Sequence, residues 1–110
     1  MVKMDLSQME ANAEAAADLL SAMANSRRLL ILCNLLEQEM NVSQLSARLG
    51  LAQSPLSQHL AKLRARGLVT ARREGQQVNY ALASDEVRRI LATLYAIYCT
   101  PEATPPGQPR

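Results

Sequence analysis

The chain has 110 residues, which leaves room for one compact domain and little more. With no Phe, no Trp and three Tyr, its core has to be built from aliphatic side chains, which favours packed helices over a β-sandwich. The net charge is only +2, yet residues 53–79 hold five Lys or Arg side chains against one Glu, and a polyanion such as nucleic acid is the natural partner of so basic a segment.

Membrane and secretion signals are missing from the sequence pattern. The longest dense apolar run, residues 29–36, is far too short to cross a bilayer. The N-terminal stretch carries acids where a signal peptide needs a basic flank and an apolar core. We therefore expect a cytoplasmic protein with no membrane partner. Thiols stay reduced in that compartment, so a link between the two cysteines would be a signal rather than a permanent staple.

The first half of the chain predicts two helices. Apolar residues at helical spacing predict helix 1 over about residues 5–23, with an alanine-rich face that lets another helix approach closely. Asn25 or Ser26 is expected to cap helix 2, whose apolar body at 27–38 indicates a central position. A domain this small and poor in aromatics is also expected to dimerise through an apolar face.

Two shorter helices follow in close succession. Ser43 is expected to cap helix 3 and Gly50 to end it. Ser54 as N-cap, with Pro55 at the first helical position, predicts the start of helix 4, which ends at Gly67. Together the two helices predict a helix-turn-helix over about residues 43–66.

The period of the pattern then changes. Short segments containing Val and Tyr, joined by a turn at Gly75, predict a two-stranded hairpin, or wing, over about 68–82. Ser84, followed by two acidic residues, is expected to begin the last helix. The Pro-rich tail, 100–110, is predicted to be disordered, and 1–99 to form one domain. The predicted fold is mainly α with a small β-hairpin wing, in the order α-α-α-α-β-β-α, a winged helix-turn-helix.

Helix 4 has the residue pattern of a DNA-recognition helix. Leu56, Leu60 and Leu63 are expected to hold it against the domain, while its exposed N-terminal turns enter the major groove. Base or near-base contacts are predicted for Gln53, Ser54, Ser57 and Gln58, with His59 beside them. Phosphate or minor-groove contacts are predicted for Lys62, Arg64, Arg72, Arg73, Gln76 and Gln77. The alternative is an ordinary amphipathic helix with a solvated hairpin.

Three segments resemble the ArsR-type family of bacterial winged-helix repressors: LSAMANSRRLLILCNLL, VSQLSARLGLAQSPLSQHLAKLRARGLV and RREGQQVNYAL. The resemblance covers nearly everything from about Asp18 to Cys99. It implies a homodimer joined by the first and last helices, which occludes a promoter at an imperfect palindrome until an inducer releases it. It also implies DNA contacts from the polar residues of helix 4 and from the wing arginines.

The sequence gives no sign of a metal or cofactor. Metal-sensing members of the family carry Cys clusters on the third helix or Asp and His pairs on the last helix. Here helix 3 has no Cys, and the lone His59 lies in the recognition helix. Zinc generally needs three or four N or S ligands, so we expect no metal site.

The cysteines resemble those of a sulfide-responsive branch of the family, which includes the biofilm growth-associated repressors. Cys33 lies in helix 2 and Cys99 at the end of helix 5. The resemblance implies that reactive sulfur species link the two thiols within a subunit, through a disulfide or inserted sulfur atoms, and weaken DNA binding. Three alternatives stay open. Cys33 could be a small buried hydrophobe, or the chain could be a repressor without a thiol switch, as in the related nodulation regulators. The least favoured alternative is a metal-responsive repressor.

Other classes of function fit less well. An enzyme is disfavoured because the chain has one histidine, no Gly-rich phosphate loop and no convincing nucleophile and base pair. A winged-helix module that binds another protein through its basic face is a further alternative. Salt-dependent binding to palindromic promoter DNA would favour the repressor.

Overall fold

The computed structural model describes residues 6–99, in which it contains five helices and three strands. In chain order these are α1 (Leu6–Met23), α2 (Ser26–Glu37), β1 (Met40–Asn41), α3 (Val42–Leu49), α4 (Gln53–Ala65), β2 (Val69–Glu74), β3 (Gln77–Leu82) and α5 (Asp85–Tyr98). The predicted winged helix-turn-helix is confirmed, with one strand more than expected. The predicted disordered tail lies outside the described residues.

The core is aliphatic, as the missing aromatics require. Leu56, Leu60 and Leu63 of α4 have no exposed surface, and Ile31 and Leu32 of α2 are equally buried. The central position predicted for α2 is confirmed on this inner face only, because Leu30 and Leu36 on its other side are exposed. Burial of large aliphatic side chains contributes roughly 1.5–3 kcal/mol each to folding.

The cap of α2 is Asn25. Its side-chain Oδ1 accepts hydrogen bonds from the backbone N–H groups of Arg27 and Arg28, at 2.9 and 3.1 Å. Of the two predicted caps, Asn25 is therefore the one used. The helix meets α1 across the short connection at Ala24.

The start of α3 differs from the prediction. Ser43 is not the cap: Asn41 accepts from the backbone N–H of Gln44, and the Gln44 side chain accepts from the backbone N–H of Asn41. This reciprocal capping box satisfies two backbone donors that Ser43, inside the helix, could not reach. Asn41 also belongs to β1, which pairs antiparallel with β3. The helix ends at Gly50, as predicted, with φ of +66°.

The start of α4 also differs from the prediction. Ala52 is the N-cap, no side chain caps the helix, and Ser54 lies inside the first turn. Pro55 is consequently the third helical residue rather than the first. That position tolerates proline because the first four N–H groups of a helix have no partner within it. The Ser54 hydroxyl is therefore not used as a cap.

The wing is the hairpin formed by β2 and β3. Its register runs from Val69 opposite Leu82 to Glu74 opposite Gln77. The connecting loop is Gly75–Gln76, and Gly75 has φ of +63°, which fits the tight turn predicted there. The sheet has the order β1-β3-β2, so β3 is its central strand.

The last helix begins as predicted. Ser84 accepts a hydrogen bond from the backbone N–H of Val87 at 3.1 Å, and Cys99 is the C-cap. No helix within residues 6–99 is long and apolar enough to span a membrane.

Candidate nucleic-acid interface

Helix α4 separates its apolar and polar side chains completely. Its three leucines are buried, whereas four polar residues in its first two turns are exposed. These are the predicted base-reading residues Gln53, Ser54, Ser57 and Gln58. Within residues 6–99 none of the four side chains has a hydrogen-bond partner in the protein. Packing of the leucines thus fixes the helix, and its exposed Ser and Gln side chains are free to form hydrogen bonds with a ligand.

His59 lies at the edge of this set and is half-buried. Its Nδ1 is buried and has no hydrogen-bond partner among the described residues. Burial lowers the pKa of His59, and the positive charges of Arg28, Lys62 and Arg27 lower that pKa further. The imidazole is therefore neutral at neutral pH, where it can donate one hydrogen bond and accept one.

Positive charge follows along α4. Lys62 and Arg64 are exposed in its last turn. Neither makes an ion pair in the part of the chain that the structure describes. Both can consequently contact an anion without first breaking a pair within the protein.

The wing residues are held very differently from one another. Arg72 donates two hydrogen bonds to the Glu39 carboxylate, and the shorter of them, from Nη2 to Oε1, is 2.7 Å. Nη1 of Arg72 also pairs with Oε2 of Glu74 at 3.2 Å. These contacts lower the pKa of Glu39, mainly through the hydrogen bonds from Arg72, and raise the pKa of Arg72. Gln77 accepts a hydrogen bond from the Asn41 side chain at 3.3 Å.

Arg73 and Gln76, by contrast, are exposed and have no partner within residues 6–99. The structure therefore divides the four predicted wing contacts into two that are free and two that are engaged. Sequence reasoning missed Glu39. It lies far from Arg72 along the chain, and only the pairing of β1 with β3 brings the loop before β1 near the wing.

The two cysteines are free thiols with exposed side chains. Exposure of Cys33 contradicts the alternative that it is a buried hydrophobe. Partial burial raises the pKa of Cys33, and the negative charge of a Cys99 thiolate raises that pKa further. Cys33 lies between Leu30 and Leu36 on the outer face of α2. No group of three or more potential metal ligands occurs within residues 6–99.

Large apolar side chains are also exposed on the first and last helices. On α1 they are Leu6, Met9 and Leu20, and on α5 they are Tyr95, Ile97 and Tyr98. Tyr95 is the most exposed of the three on α5, with 64% of its surface accessible. Within residues 6–99, nothing covers these side chains.

The helix-turn-helix buries its leucine face in the core, exposes a polar face and is followed by a β-hairpin wing. These features define a DNA-binding regulator of the winged helix-turn-helix class. Residues 25–71 match the family described as bacterial regulatory protein, arsR family. The chain belongs to this ArsR family, whose members are transcriptional regulators and not enzymes.

Three relatives illustrate the range of the family. The chain is 54% identical to the transcriptional activator HlyU of Vibrio cholerae, over 87% of this chain and 89% of that protein. A structure of reduced HlyU covers 84% of this chain and 98% of its own, with a TM-score of 0.80. Nodulation protein NolR of Rhizobium meliloti is 54% identical over 79% of this chain and 71% of NolR. The repressor BigR of Xylella fastidiosa is 35% identical, covers 88% and 99%, and has a TM-score of 0.84.

Proposed function

We propose that this protein is a homodimeric repressor that occludes a promoter palindrome and leaves the DNA when its two cysteines become linked. Reactive sulfur species, such as a persulfide or polysulfide, or an oxidant are the proposed inducers. The observation that carries the proposal is the pair of free, exposed thiols on α2 and at the end of α5.

The DNA contacts are proposed for the free polar side chains of α4 and the wing. Ser, Gln and His side chains can hydrogen-bond base edges in the major groove, and Lys and Arg can hold phosphates. We assign base contacts to Gln53, Ser54, Ser57, Gln58 and His59, and backbone contacts to Lys62, Arg64, Arg73 and Gln76. Arg72 and Gln77 join the latter group only when their present partners release them.

The dimer is proposed to form through α1 and α5. Several large apolar side chains are exposed on each of these helices, and contiguous apolar surface on a small domain marks an interaction site. A second copy of the chain would cover both helices symmetrically. A dimer also explains a palindromic site, because two recognition helices must then reach half-sites about one turn of DNA apart.

The switch is proposed to act through that spacing. Cys99 ends a helix of the proposed dimer interface, whereas Cys33 lies on the helix packed beneath α4. A covalent link between them changes the angle between interface and recognition helix. A small rotation moves both recognition helices away from the required separation and lowers the affinity for the palindrome.

The linking chemistry uses two thiols and one sulfur donor. One thiolate attacks a sulfane sulfur of a polysulfide and expels the shortened polysulfide anion, which leaves a persulfide on the protein. The second thiolate attacks the cysteine sulfur of that persulfide, expels hydrosulfide and closes a disulfide. If the first product carries one more sulfur, attack at its middle atom expels hydrosulfide and closes a trisulfide. In both cases the thiols lose two electrons and the polysulfide gains them.

The test is release of DNA by polysulfide. Reduced protein is bound to a duplex that it selects from a random library, and sodium tetrasulfide is added. We expect release, with a peptide that joins Cys33 to Cys99, while Cys33→Ser and Cys99→Ser variants stay bound. Light scattering should give a dimer before and after treatment. Because the pKa of Cys33 is raised, its thiolate fraction and the rate of release should go on increasing as the pH rises above the ordinary thiol range near about 8.5.

Two results contradict the switch. One is release of both serine variants at the rate of the parent, and the other is release without a Cys33–Cys99 link. Cys33→Ala is a useful companion because it removes the thiol without adding a hydroxyl on this apolar face.

A second candidate is a regulator without a thiol switch. The similarity to a nodulation protein favours it, since that protein is as similar to this chain as HlyU is. This candidate predicts DNA binding that polysulfide does not change in the parent or in either serine variant. Equal affinity of the treated and the untreated protein for the duplex would favour this second candidate.

A further inference from the structure

A cavity of about 260 Å³ lies where the end of α1, the start of α2 and the second half of α4 meet. Three cations line it: Arg28 from α2, and Lys62 and Arg66 from α4. Ser21 of α1 adds a hydroxyl. We call this space the basic cavity. No Asp or Glu is among the residues that line it.

The charges of the basic cavity are uncompensated. Within residues 6–99 none of its three cations forms an ion pair. Like charges around a partly enclosed space repel one another more strongly than in bulk water, because the surrounding protein lowers the local dielectric. The reduced pKa of His59 is caused in part by Arg28 and Lys62, so the field of these cations extends into the neighbouring recognition surface.

One of the cations that line the basic cavity, Arg28, has an unpaired donor. The Nε of Arg28 is buried and makes no hydrogen bond among the described residues. A buried donor without a partner has lost its hydration, and a bound acceptor would replace that lost hydrogen bond. Arg66, in contrast, donates from Nη1 to the backbone carbonyl of Asp18 at 3.2 Å, which fixes its guanidinium at the wall. The lining of the cavity therefore includes one anchored cation, Arg66, and one arginine with an unsatisfied donor, Arg28.

The basic cavity also continues the row of predicted DNA contacts. Ser54, Gln58, Lys62 and Arg66 follow one another at intervals of four, which places them along a single ridge of α4 and its C-cap. The ridge begins with neutral hydrogen-bonding side chains and ends with two cations at the cavity. A phosphate near the far end of this ridge would meet three positive groups and no carboxylate.

We propose that the basic cavity is an oxyanion site that takes one phosphate group, held by Arg28, Lys62 and Arg66. The phosphate is either a backbone phosphate of bound DNA, beyond the base-reading contacts, or a free oxyanion. The first source rests on the proposed function, and the second is independent of it. Arg28 is the distinguishing residue, because Lys62 is already proposed as a DNA contact and Arg66 also holds α1.

The first experiment uses inorganic phosphate and the full chain. In an NMR titration we expect a saturable shift of the Arg28 Nε–H resonance, with sulfate acting in the same way and chloride at equal ionic strength not doing so. The matched control is the Nε–H of Arg48 on α3. Nη2 of this arginine lies 3.8 Å from Oε2 of Glu37. The parent protein suffices here, so the result does not depend on how well a variant folds.

The second experiment measures how DNA affinity depends on salt, using the selected duplex. A protein releases roughly 0.9 counterions per phosphate it neutralises. Arg28→Gln should therefore reduce the magnitude of the slope of log K against log salt by about one and weaken selected and scrambled duplexes by the same factor. Arg28→Lys should restore most of the slope, and Arg48→Gln should leave it unchanged.

The outcomes separate the two sources. A phosphate shift with an unchanged salt slope assigns a free oxyanion, and a reduced slope without a phosphate shift assigns a DNA phosphate. If phosphate causes no shift and Arg28→Gln leaves the salt slope unchanged, the proposed oxyanion site is overturned. If the parent selects no duplex at all, the proposed function fails, while the phosphate titration still decides whether the oxyanion site exists.

Discussion

The recognition helix and the wing are made rigid by opposite means. On α4, three leucines without exposed surface fix the helix, and its exposed polar side chains form no hydrogen bond or ion pair within the described protein. On the wing, polar contacts do the fixing: Arg72 pairs with Glu39 and Glu74, and Gln77 accepts from Asn41. Packing is insensitive to salt, whereas exposed ion pairs are screened by it. The packing of α4 against its own domain is therefore expected to depend little on salt, while the wing contacts depend on pH and ionic strength.

The largest expected effect comes from breaking the packed side of this comparison. Leu60→Ala leaves a cavity at a site without exposure, and we expect the free energy of unfolding to fall by about 2–5 kcal/mol. That is a large fraction of a small domain's total stability. Urea unfolding followed by circular dichroism measures it. Leu30→Ala, at a half-exposed position on α2, is the control, and an equal loss there would contradict the assignment of α4 to the core.

An intermediate effect is expected from the free polar face of α4. Gln58→Ala should weaken binding to the selected duplex by about 1–3 kcal/mol and reduce the preference over a scrambled duplex. Arg64→Gln should instead weaken both duplexes alike and lower the salt dependence. Fluorescence anisotropy with the two duplexes separates the cases. Equal weakening of both duplexes by Gln58→Ala would remove it from the base-reading set.

The smallest effect is expected from the wing. Because the pKa of Glu39 is lowered in the folded protein, its contribution to stability is present above the pKa of the unfolded chain. That contribution is lost as the pH falls through the lower, folded-state pKa. Acidification below about pH 4 should therefore release Arg72, seen as a change in its Nε–H resonance. Glu39→Gln should show the released resonance at neutral pH.

The same variant tests the role of the wing in binding. With one of its two partners neutralised, Arg72 should contribute more to DNA affinity, and most strongly at low salt. Glu37→Gln removes the more distant pair with Arg48 and is the matched control. Weaker binding by Glu39→Gln would instead mean that the ion pair positions the wing for DNA.

Much of the fold could be predicted from periodic patterns. The leucines of α4, the cap Ser84, the stop at Gly50 and the turn at Gly75 each depend on neighbours a few residues away. Helical spacing and turn chemistry report such local relations directly. The same patterns identified α4 as the helix that carries the free polar side chains.

The errors occurred where distant parts of the chain decide the outcome. Strand β1 has two residues, which is too short to show a period, and its pairing with β3 makes Asn41 rather than Ser43 the cap of α3. At α4, Ser-Pro is a good start pattern, but the helix begins at Gln53, before it. Neither the ion pair of Arg72 with Glu39 nor the set of residues that line the basic cavity could be predicted from the sequence, because each brings together residues from different elements.

The scarcity of aromatic side chains has a spectroscopic consequence. The sequence has no Trp, and its Tyr residues are 80, 95 and 98. Tyr80 is half-buried on β3, while Tyr95 and Tyr98 are exposed on the last turns of α5, just before Cys99. Near-ultraviolet absorption and fluorescence of the protein therefore come largely from the helix end that bears the proposed sensing thiol. The protein carries its own optical probe, so linkage of Cys99 can be followed without a label.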